Sequence, residues 1–433
     1  MNALRGVRLV FRRKRGPPKM TTDRPDFRMS RPEFIALIAM MFATIAFSTD
    51  AMLPALPQIT ADLSPDTPER VPLILTAFVF GLGLGTFVTG PLADAFGRKN
   101  IVYGGAFLYI LGTIIAWVSQ SLEVMLAARV LQGLGAAGPR VVSLAIIRDL
   151  FSGRQMARIM SFVMMIFVIV PAFAPALGAV IIRFSDWRGI FISFIVFAMV
   201  SVVWVWLRLP ETLPKDNRRP LRLPLLWLAT KEIFGNRMVC VSITVQTLAL
   251  SILFAVLMLV QPIYDQVYDR GESFPFWFGV IALVSGSSSL LNALLVVRLG
   301  MLRIVTLALG VQIILSASML GFGLGSLPEP FGFYFFALWQ ASLFFQAGLV
   351  MGNLNALAME PLGHIAGMAA SVIGAMSTVM AAVIASPIGL VFNGTIAPLV
   401  ASVLILASIG FALMIYLGRV LRRDDSVLAD PAE

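Results

Sequence analysis

Three charged residues lie inside stretches of the chain that are otherwise mostly apolar. Asp50 falls in the run from Phe34 to Pro57, and Arg129 and Arg140 fall in a second run further along. A charge near the centre of a membrane-spanning helix costs roughly 2.5 to 3.5 kcal/mol on insertion scales, so such residues usually face a partner or a water-filled cavity. These three residues are therefore the first candidates for chemistry.

Asp50 could carry protons across a membrane. A carboxyl group with alternating access to water on two sides can load and release a proton, because removal from water favours the neutral acid and a nearby cation favours the carboxylate. Arg129 is the candidate cation. We expect Asp50 to take a proton from outside and release it inside. A structural role stays open, because Pro54 and Pro57 predict a break in this helix, where Asp50 could bind free backbone N–H groups or face outer water.

The two arginines also have alternatives. Arginine stays charged in proteins and must find a carboxylate, carbonyl groups or water inside a bundle. Arg129 is seven residues from Leu122, so its side chain either faces an internal cavity or extends to the outer interface. Arg140 either adds positive potential to the cavity or approaches the cytoplasmic side. The residues alone leave both alternatives open.

The composition predicts an integral membrane protein. Of the 433 residues, 58% are hydrophobic and 13% are charged, whereas a soluble domain has about 25% charged residues. A helix of about 20 apolar residues crosses a bilayer. Twelve apolar runs approach or exceed this length, at 34–59, 71–93, 101–119, 122–147, 157–182, 187–209, 238–264, 274–297, 302–325, 330–358, 365–392 and 395–418. We therefore predict an all-α membrane protein with twelve transmembrane helices.

The positive charges are distributed unequally between the two sides of this arrangement. With the N-terminus inside, 27 of the 33 Lys and Arg residues lie in segments on the inner side and four lie in outer loops. The remaining two are Arg129 and Arg140. The positive-inside rule therefore predicts that both termini are cytoplasmic. The net charge of +10 is explained by this topology, and no nucleic-acid partner is expected.

A polar interruption divides the chain into two sets of six spans. It covers residues 210–224 and is rich in Pro, Arg and Lys. Six helices plus six is the pattern expected of a transporter built from two repeated halves, and FGRKNIV at 96–102 has a faint echo in LGMLRIV at 299–305. The predicted segments are a basic cytoplasmic tail at 1–33, a first half at 34–209, a cytoplasmic linker at 210–237, a second half at 238–418 and a cytoplasmic tail at 419–433.

Two residue types are scarce. Cys240 is the only cysteine and His364 the only histidine, which excludes an internal disulfide bond and leaves little material for a metal site. An integral membrane enzyme would need clustered His, Asp or Glu at the interface, so that alternative is remote. We predict no metal and no cofactor.

The loop between spans two and three, GPLADAFGRKN at 90–100, has a distinctive pattern. Its glycines permit a tight turn, and its Asp lies ahead of a helix N-terminus, where negative charge is favoured. It resembles the loop signature of the major facilitator superfamily, Gly-x-Leu-Ala-Asp-Arg-x-Gly-Arg-Lys, with Ala95 replacing the first Arg. The resemblance implies a cytoplasmic gate motif formed by Gly90, Asp94, Gly97, Arg98, Lys99 and, in the Arg-Asp-Leu-Phe segment that ends span four, Asp149.

Spans four and five strengthen this resemblance. In span four, Arg129, Gly133 and Gly135 match the superfamily pattern Arg-x-x-x-Gly-x-Gly, whose Arg faces the substrate and proton cavity. VIVPAFAPALGAV in span five, at 168–180, resembles the drug-antiporter motif Gly-Pro-x-x-Gly-Gly, although alanines replace its outer glycines. The candidate antiporter-motif residues are Pro171, Pro175 and Gly178.

Two further segments resemble one branch of the superfamily. TDAMLPALPQI at 49–59 and NALAMEPLGHIAGMAAS at 355–371 are similar to segments of bicyclomycin-resistance exporters. This resemblance implies a proton-coupled multidrug efflux antiporter of the bacterial inner membrane that works by alternating access. An importer or a metabolite exporter on the same fold is the alternative.

The expected partners follow from this interpretation. They are a small-molecule substrate, protons and the lipid bilayer, with the proton gradient as the energy source and the chain acting as a monomer. Polar residues inside the spans are candidates for the lining of a substrate cavity, namely Gln132, Arg140, Gln246, Asn292, Gln340 and Asn353.

Overall fold

The computed structural model describes residues 29–218, 230–322 and 328–429. Most of the predicted basic N-terminal tail, part of the predicted linker and the last four residues lie outside these ranges. Regular structure in the described residues is helical throughout.

Twelve membrane-spanning helices follow one another in the described part of the chain, as predicted. Eleven are long and apolar enough to cross a bilayer along their length, and the fifth contributes an apolar segment at Ile169–Phe184. They are α1 (Arg31–Leu63), α2 (Leu73–Phe96), α3 (Arg98–Trp117), α4 (Leu122–Leu150), α5 (Gly153–Phe184), α6 (Arg188–Arg208), α7 (Arg237–Pro262), α8 (Phe274–Leu299), α9 (Met301–Phe322), α10 (Phe331–Met359), α11 (Ala366–Leu390) and α12 (Ala397–Ala429). Helix α12 continues well past the predicted end of the last span at residue 418.

The first six helices and the last six pack in the same way. In the first half, α1 packs against α4, α5 and α6, α3 packs against α4 and α6, and α2 packs against α4. Adding six to each helix number gives the packing of the second half. The two most extensive contacts between the halves, α2 with α11 and α5 with α8, exchange under the same operation. The predicted pseudo-symmetric halves are therefore confirmed.

The faint sequence echo marks equivalent turns of the two halves. Gly97 joins α2 to α3 with φ +99°, and Gly300 joins α8 to α9 with φ +78°. Side chains clash with the backbone at such positive φ values, so glycine is the favoured residue at both turns. We call the face that carries these two turns the inner face, and the face that carries the α1–α2 connection at residues 64–72 the outer face.

Eight of the helices form a closed ring. Each member packs against the next in the order α4, α2, α11, α7, α10, α8, α5, α1 and back to α4. Helices α3, α6, α9 and α12 pack on the outside of this ring. The ring encloses a central space between the two halves.

Apolar packing joins the halves most strongly toward the outer face. One hydrophobic cluster includes Ile59 and Leu75 of the first half together with Leu259 and Ile388 of the second. Near the inner face, the first half has a cluster of its own around Phe34 and Val142. The second half has another around Val239 and Ala369, and among the described residues of the first half only Phe87 packs against it.

Helix α1 is broken inside the membrane. Its first piece ends at Asp50, a 3-10 turn covers Leu53–Ala55, and the second piece runs from Leu56 to Leu63. Pro54 and Pro57 lie in this region and cannot donate backbone hydrogen bonds, which explains why the helix does not continue regularly. The break predicted from these prolines is confirmed, and it places Asp50 at the end of a helix.

Backbones approach closely where α2 packs against α4. A Cβ atom at Gly133 would overlap the carbonyl group of Phe78, and one at Gly81 would overlap that of Val130. Small residues of this kind let membrane helices pack without intervening side chains. Arg129, one turn before Gly133, is thereby held close to α2.

We expect Gly133→Ala to lower the free energy of unfolding by roughly 1 to 3 kcal/mol, because the added methyl group overpacks this contact. Thermal unfolding of the purified protein in detergent measures the effect. Gly104→Ala is the matched control, since Gly104 is a helical glycine whose added Cβ meets no atom within 4 Å. Equal stability of the two variants would contradict the packing account.

Candidate functional site

Arg129 is fully buried and binds acceptors on two neighbouring helices. Its Nε donates to the Ile74 carbonyl at 3.2 Å, Nη2 donates to the Ser48 carbonyl at 2.9 Å, and Nη1 donates to Oε1 of Gln132. The guanidinium also lies over the ring of Phe78, 4.5 Å from its centre. Extension of this side chain to the outer interface, one of its two predicted alternatives, is therefore not observed.

The break in α1 explains why a carbonyl is available to Arg129. Ser48 lies in the last turn of the first piece of α1, where carbonyl groups lack partners within the helix. This end of a helix carries partial negative charge and favours a cation. The intramembrane arginine is thus satisfied by the end of a broken helix.

Asp50 is almost entirely buried, at 5% exposure, yet it forms no ion pair with any described residue. Its Oδ1 accepts a hydrogen bond from the Thr49 hydroxyl at 3.1 Å. The predicted pairing with Arg129 is absent from this conformation, because the guanidinium binds carbonyl groups instead. The alternative in which Asp50 accepts from free backbone N–H groups is not observed within the described ranges either. The two residues are linked through the backbone between Ser48 and Asp50.

A polar network extends from Arg129 into α3. Nε2 of Gln132 donates to Oγ1 of Thr113 at 2.8 Å, and the hydroxyl groups of Ser48 and Tyr109 lie 2.6 Å apart. Gln132 is fully buried with both ends of its amide bonded, so this placement does not support its predicted role in lining a cavity. Tyr109 and Thr113 were not among the sequence candidates, although two polar residues four apart in an apolar helix are a usable signal.

The antiporter-like motif of α5 lies against the break in α1. A Cβ atom at Gly178 would overlap the carbonyl group of Ala51, and Ala51 is the residue that follows Asp50. Pro175 and Pro171 lie in the same helix, about one and two turns before Gly178 respectively. The structure therefore brings the span-five motif and the acidic residue of span one together.

The predicted gate motif assembles at the inner face. Arg98 is 4% exposed and forms ion pairs with Asp94 at 2.6 Å and with Asp149 at 2.9 Å. Gly90 faces the other half, since a Cβ atom there would lie 3.0 Å from the Ser371 hydroxyl. The network forms even though Ala95 replaces the arginine of the family signature.

Glu211 is a member of this network that the sequence reasoning missed. Its carboxylate accepts hydrogen bonds from the backbone N–H groups of Arg98, at 3.1 Å, and Lys99, at 3.3 Å, which begin α3. These N–H groups have no partner within the helix, and a negative charge is favoured beside them. The neighbouring Thr212 donates to Asp149 at 3.3 Å. The signal was the acidic residue that directly follows span six.

The polar candidates of the second half divide into two kinds. Asn353 donates to Asn292 at 2.6 Å, so these two residues bind each other. Gln340 accepts from the hydroxyl of Tyr264 at 3.0 Å, while its Nε2 is buried without a partner. Oε1 of Gln246 is likewise buried without a partner. Among these four candidates, the two glutamines are the ones with a fully buried amide atom that has no partner in the described residues.

A separate cavity of about 510 Å³ opens between the halves at the outer face. Its lining includes residues from both halves, among them Pro57, Glu69, Gln261, Asp265 and Phe392. Arg140 is not part of this lining.

Two repeats of six helices, a broken first helix with a buried acid, and a charged turn after the second helix define a two-repeat membrane transporter fold. The family model of the Major Facilitator Superfamily matches residues 36–386. The chain belongs to this superfamily.

Two bacterial relatives with assigned names match most of the chain. The bicyclomycin resistance protein homolog of Haemophilus influenzae is 29% identical over 374 residues, which cover 84% of this chain and 91% of that protein. The multidrug resistance protein MdtL of Escherichia fergusonii is 27% identical over 276 residues, which cover 62% and 67%.

Solved structures share the fold at low sequence identity. The partially occluded, inward-open structure of the xylose transporter XylE from E. coli has a TM-score of 0.67 and 11% identity, covering 90% of this chain and 99% of that one. A crystal structure of a D-xylose–proton symporter has a TM-score of 0.69 and 13% identity, covering 88% and 96%. These likenesses concern the fold alone.

We expect Glu211→Gln to lower the free energy of unfolding by about 1 kcal/mol, because the charged acceptor at the start of α3 becomes neutral. Unfolding of the purified protein in detergent provides the measurement. Lys215→Gln removes a charge from an exposed residue of the same segment and should leave stability unchanged. A loss that is no larger for Glu211→Gln than for this control would contradict the assignment.

Proposed function

We propose that the protein is a proton-coupled secondary transporter that exports small, structurally varied organic compounds by alternating access. The observation that carries the proposal is Asp50, a buried acid that pairs with no described cation, placed at the break of α1. A carboxyl group that is out of water in one conformation and in water in another binds and releases a proton as the conformation changes.

The surroundings of Asp50 support a role in coupling. Gly178 of α5 contacts the residue after Asp50, and Arg129 binds the carbonyl of Ser48 two residues before it. Helix α5 packs against α8 of the other half. A movement of one half against the other therefore changes the environment of Asp50 directly.

The distribution of apolar packing supports alternating access. The halves share one core toward the outer face and have separate cores near the inner face. This is the packing expected of a conformation in which the central space communicates with the inner face. The excess of Lys and Arg in the inner segments supports a cytoplasmic location for that face and for both termini.

Export and a wide substrate range are inferred from similarity. The relatives named for bicyclomycin resistance and multidrug resistance are bacterial proteins, which supports drug export across a bacterial inner membrane. The proton gradient supplies the energy, so no bound cofactor is required. We expect the chain to act as a monomer, because each chain contains both halves.

We expect Asp50→Asn to abolish substrate-driven proton movement. Purified protein is reconstituted in vesicles carrying a proton gradient, and proton release is followed while anionic, cationic, neutral and zwitterionic compounds are added in turn. The neutral amide keeps the size of the side chain and removes the proton-binding group. Asp66→Asn is the control, since Asp66 is an exposed acid of the outer face.

A compound that releases protons with the wild type and with Asp66→Asn, but not with Asp50→Asn, identifies Asp50 as the coupling acid. If Asp50→Asn still accumulates a compound against its gradient, proton coupling through this residue is wrong. The direction of accumulation distinguishes export from import.

A further inference from the structure

Arg140 lies on the face of α4 that is directed into the ring. It follows Arg129 by eleven residues, which is about three turns or 16 Å along the helix, and at 100° per residue the two positions differ by about 20°. Helix α4 contacts α1 through Ser143, whose hydroxyl lies 3.5 Å from Sδ of Met41. It contacts α3 on the opposite side, where Gly138 approaches Gly105.

The contact of α4 with α2 shows where the α4 face that carries Arg140 ends on its second side. Ala137 of α4 lies against Gly85 of α2. Arg140 therefore points between α1 and α2, the two helices that flank α4 in the ring. It lies nearer the inner face than Arg129, ten residues before the end of α4 at Leu150.

Arg140 differs from Arg129 in its bonding. Its side chain is partly exposed, whereas Arg129 is fully buried with an acceptor for each of its three nitrogens. No hydrogen bond or ion pair joins Arg140 to another side chain or carbonyl in the described ranges. A guanidinium has five N–H donors and stays charged, so Arg140 presents unused donors to the central space.

Inside the membrane-spanning ring, positively charged side chains outnumber negatively charged ones among the described residues. Between the end turns of the described ring helices, the charged side chains are Asp50, Arg129, Arg140 and Arg158, because α7, α8, α10 and α11 carry none there. Arg158 lies in the second turn of α5, near the inner face, where its side chain is exposed and its guanidinium is 6.0 Å from the centre of the Phe162 ring. A cleft lined by charge of one sign raises the local concentration of the opposite charge. Arg129 is already bonded to carbonyl groups, and Arg158 lies close to the inner end of α5. Among the described ring residues, Arg140 is therefore the cation deeper in the central space that is available to a ligand.

We propose that Arg140 binds the carboxylate of transported compounds in the inner part of the central space, so that the substrates include small organic anions. Arginine pairs with a carboxylate through two parallel hydrogen bonds, which supplies both affinity and orientation. This inference rests on the proposed transport function and assigns the chemical class of its substrates.

The first experiment measures equilibrium binding to the purified full chain by fluorescence anisotropy, without a proton gradient. The probes are fluorescein, which is anionic at neutral pH, and rhodamine 123, a cation with the same xanthene ring system. We expect Arg140→Gln to weaken fluorescein binding about tenfold or more, Arg140→Lys to weaken it less, and neither variant to weaken rhodamine 123 binding. Arg303→Gln, which removes an exposed arginine at the inner end of α9, should change neither.

The second experiment measures the potential beside Arg140 without any substrate. Cys240→Ser removes the only native thiol, and Leu144→Cys places one at an exposed position one turn after Arg140. The reaction rates of this thiol with an anionic sulfonatoethyl and a cationic trimethylammonium-ethyl methanethiosulfonate are compared. We expect Arg140→Gln to lower the ratio of the anionic to the cationic rate several-fold.

Three results would overturn the inference. They are no fluorescein binding to the wild type, equal fluorescein affinity of the wild type and Arg140→Gln, and a rate ratio that does not change. Binding of fluorescein that depends on Arg140, without proton-driven transport, would instead overturn the proposed function and leave the anion site standing.

Discussion

The structure of the first half depends on which groups bind the free backbone carbonyls at the break of α1 inside the membrane. Backbone carbonyls left without partners in hydrocarbon are costly, so a break is tolerated only where other groups of the protein bind them. Arg129 provides this for Ser48 and is itself positioned by the close contact of α4 with α2 at Gly133. The buried cation and the broken helix therefore stabilise each other, and Asp50 lies next to them without a charge partner among the described residues.

The two ends of the first half use charge differently. At the inner face, Arg98 forms ion pairs with Asp94 and Asp149, and Glu211 accepts hydrogen bonds from the first N–H groups of α3. These charged side chains bind one another and hold α2, α3 and α4 of the first half together. In the central space, by contrast, Arg140 keeps its donors free, which is why we assign binding to it and structure to the inner network.

Much of the fold could be predicted from the sequence, because apolar runs, prolines and basic loops act locally. The twelve spans, the break after Asp50 and the equivalent turns at Gly97 and Gly300 followed from such signals. The partners of Arg129 could not be predicted, because a backbone carbonyl that lacks a partner is not marked by any residue type, whereas a carboxylate such as Asp50 is. Glu211 was missed for a related reason. Its carboxylate accepts from backbone N–H groups of residues that are more than a hundred positions away in the sequence.

The contact between Gly178 and Ala51 has a mechanical consequence. Where two helices meet through side chains, rotamer changes can absorb a small shift of one helix before the other moves. Here backbone meets backbone with no side chain between them, so a shift of α5 is passed on to the end of α1 without loss. The stiffness of this junction means that Asp50 responds to ångström-scale movements of α5 against α8.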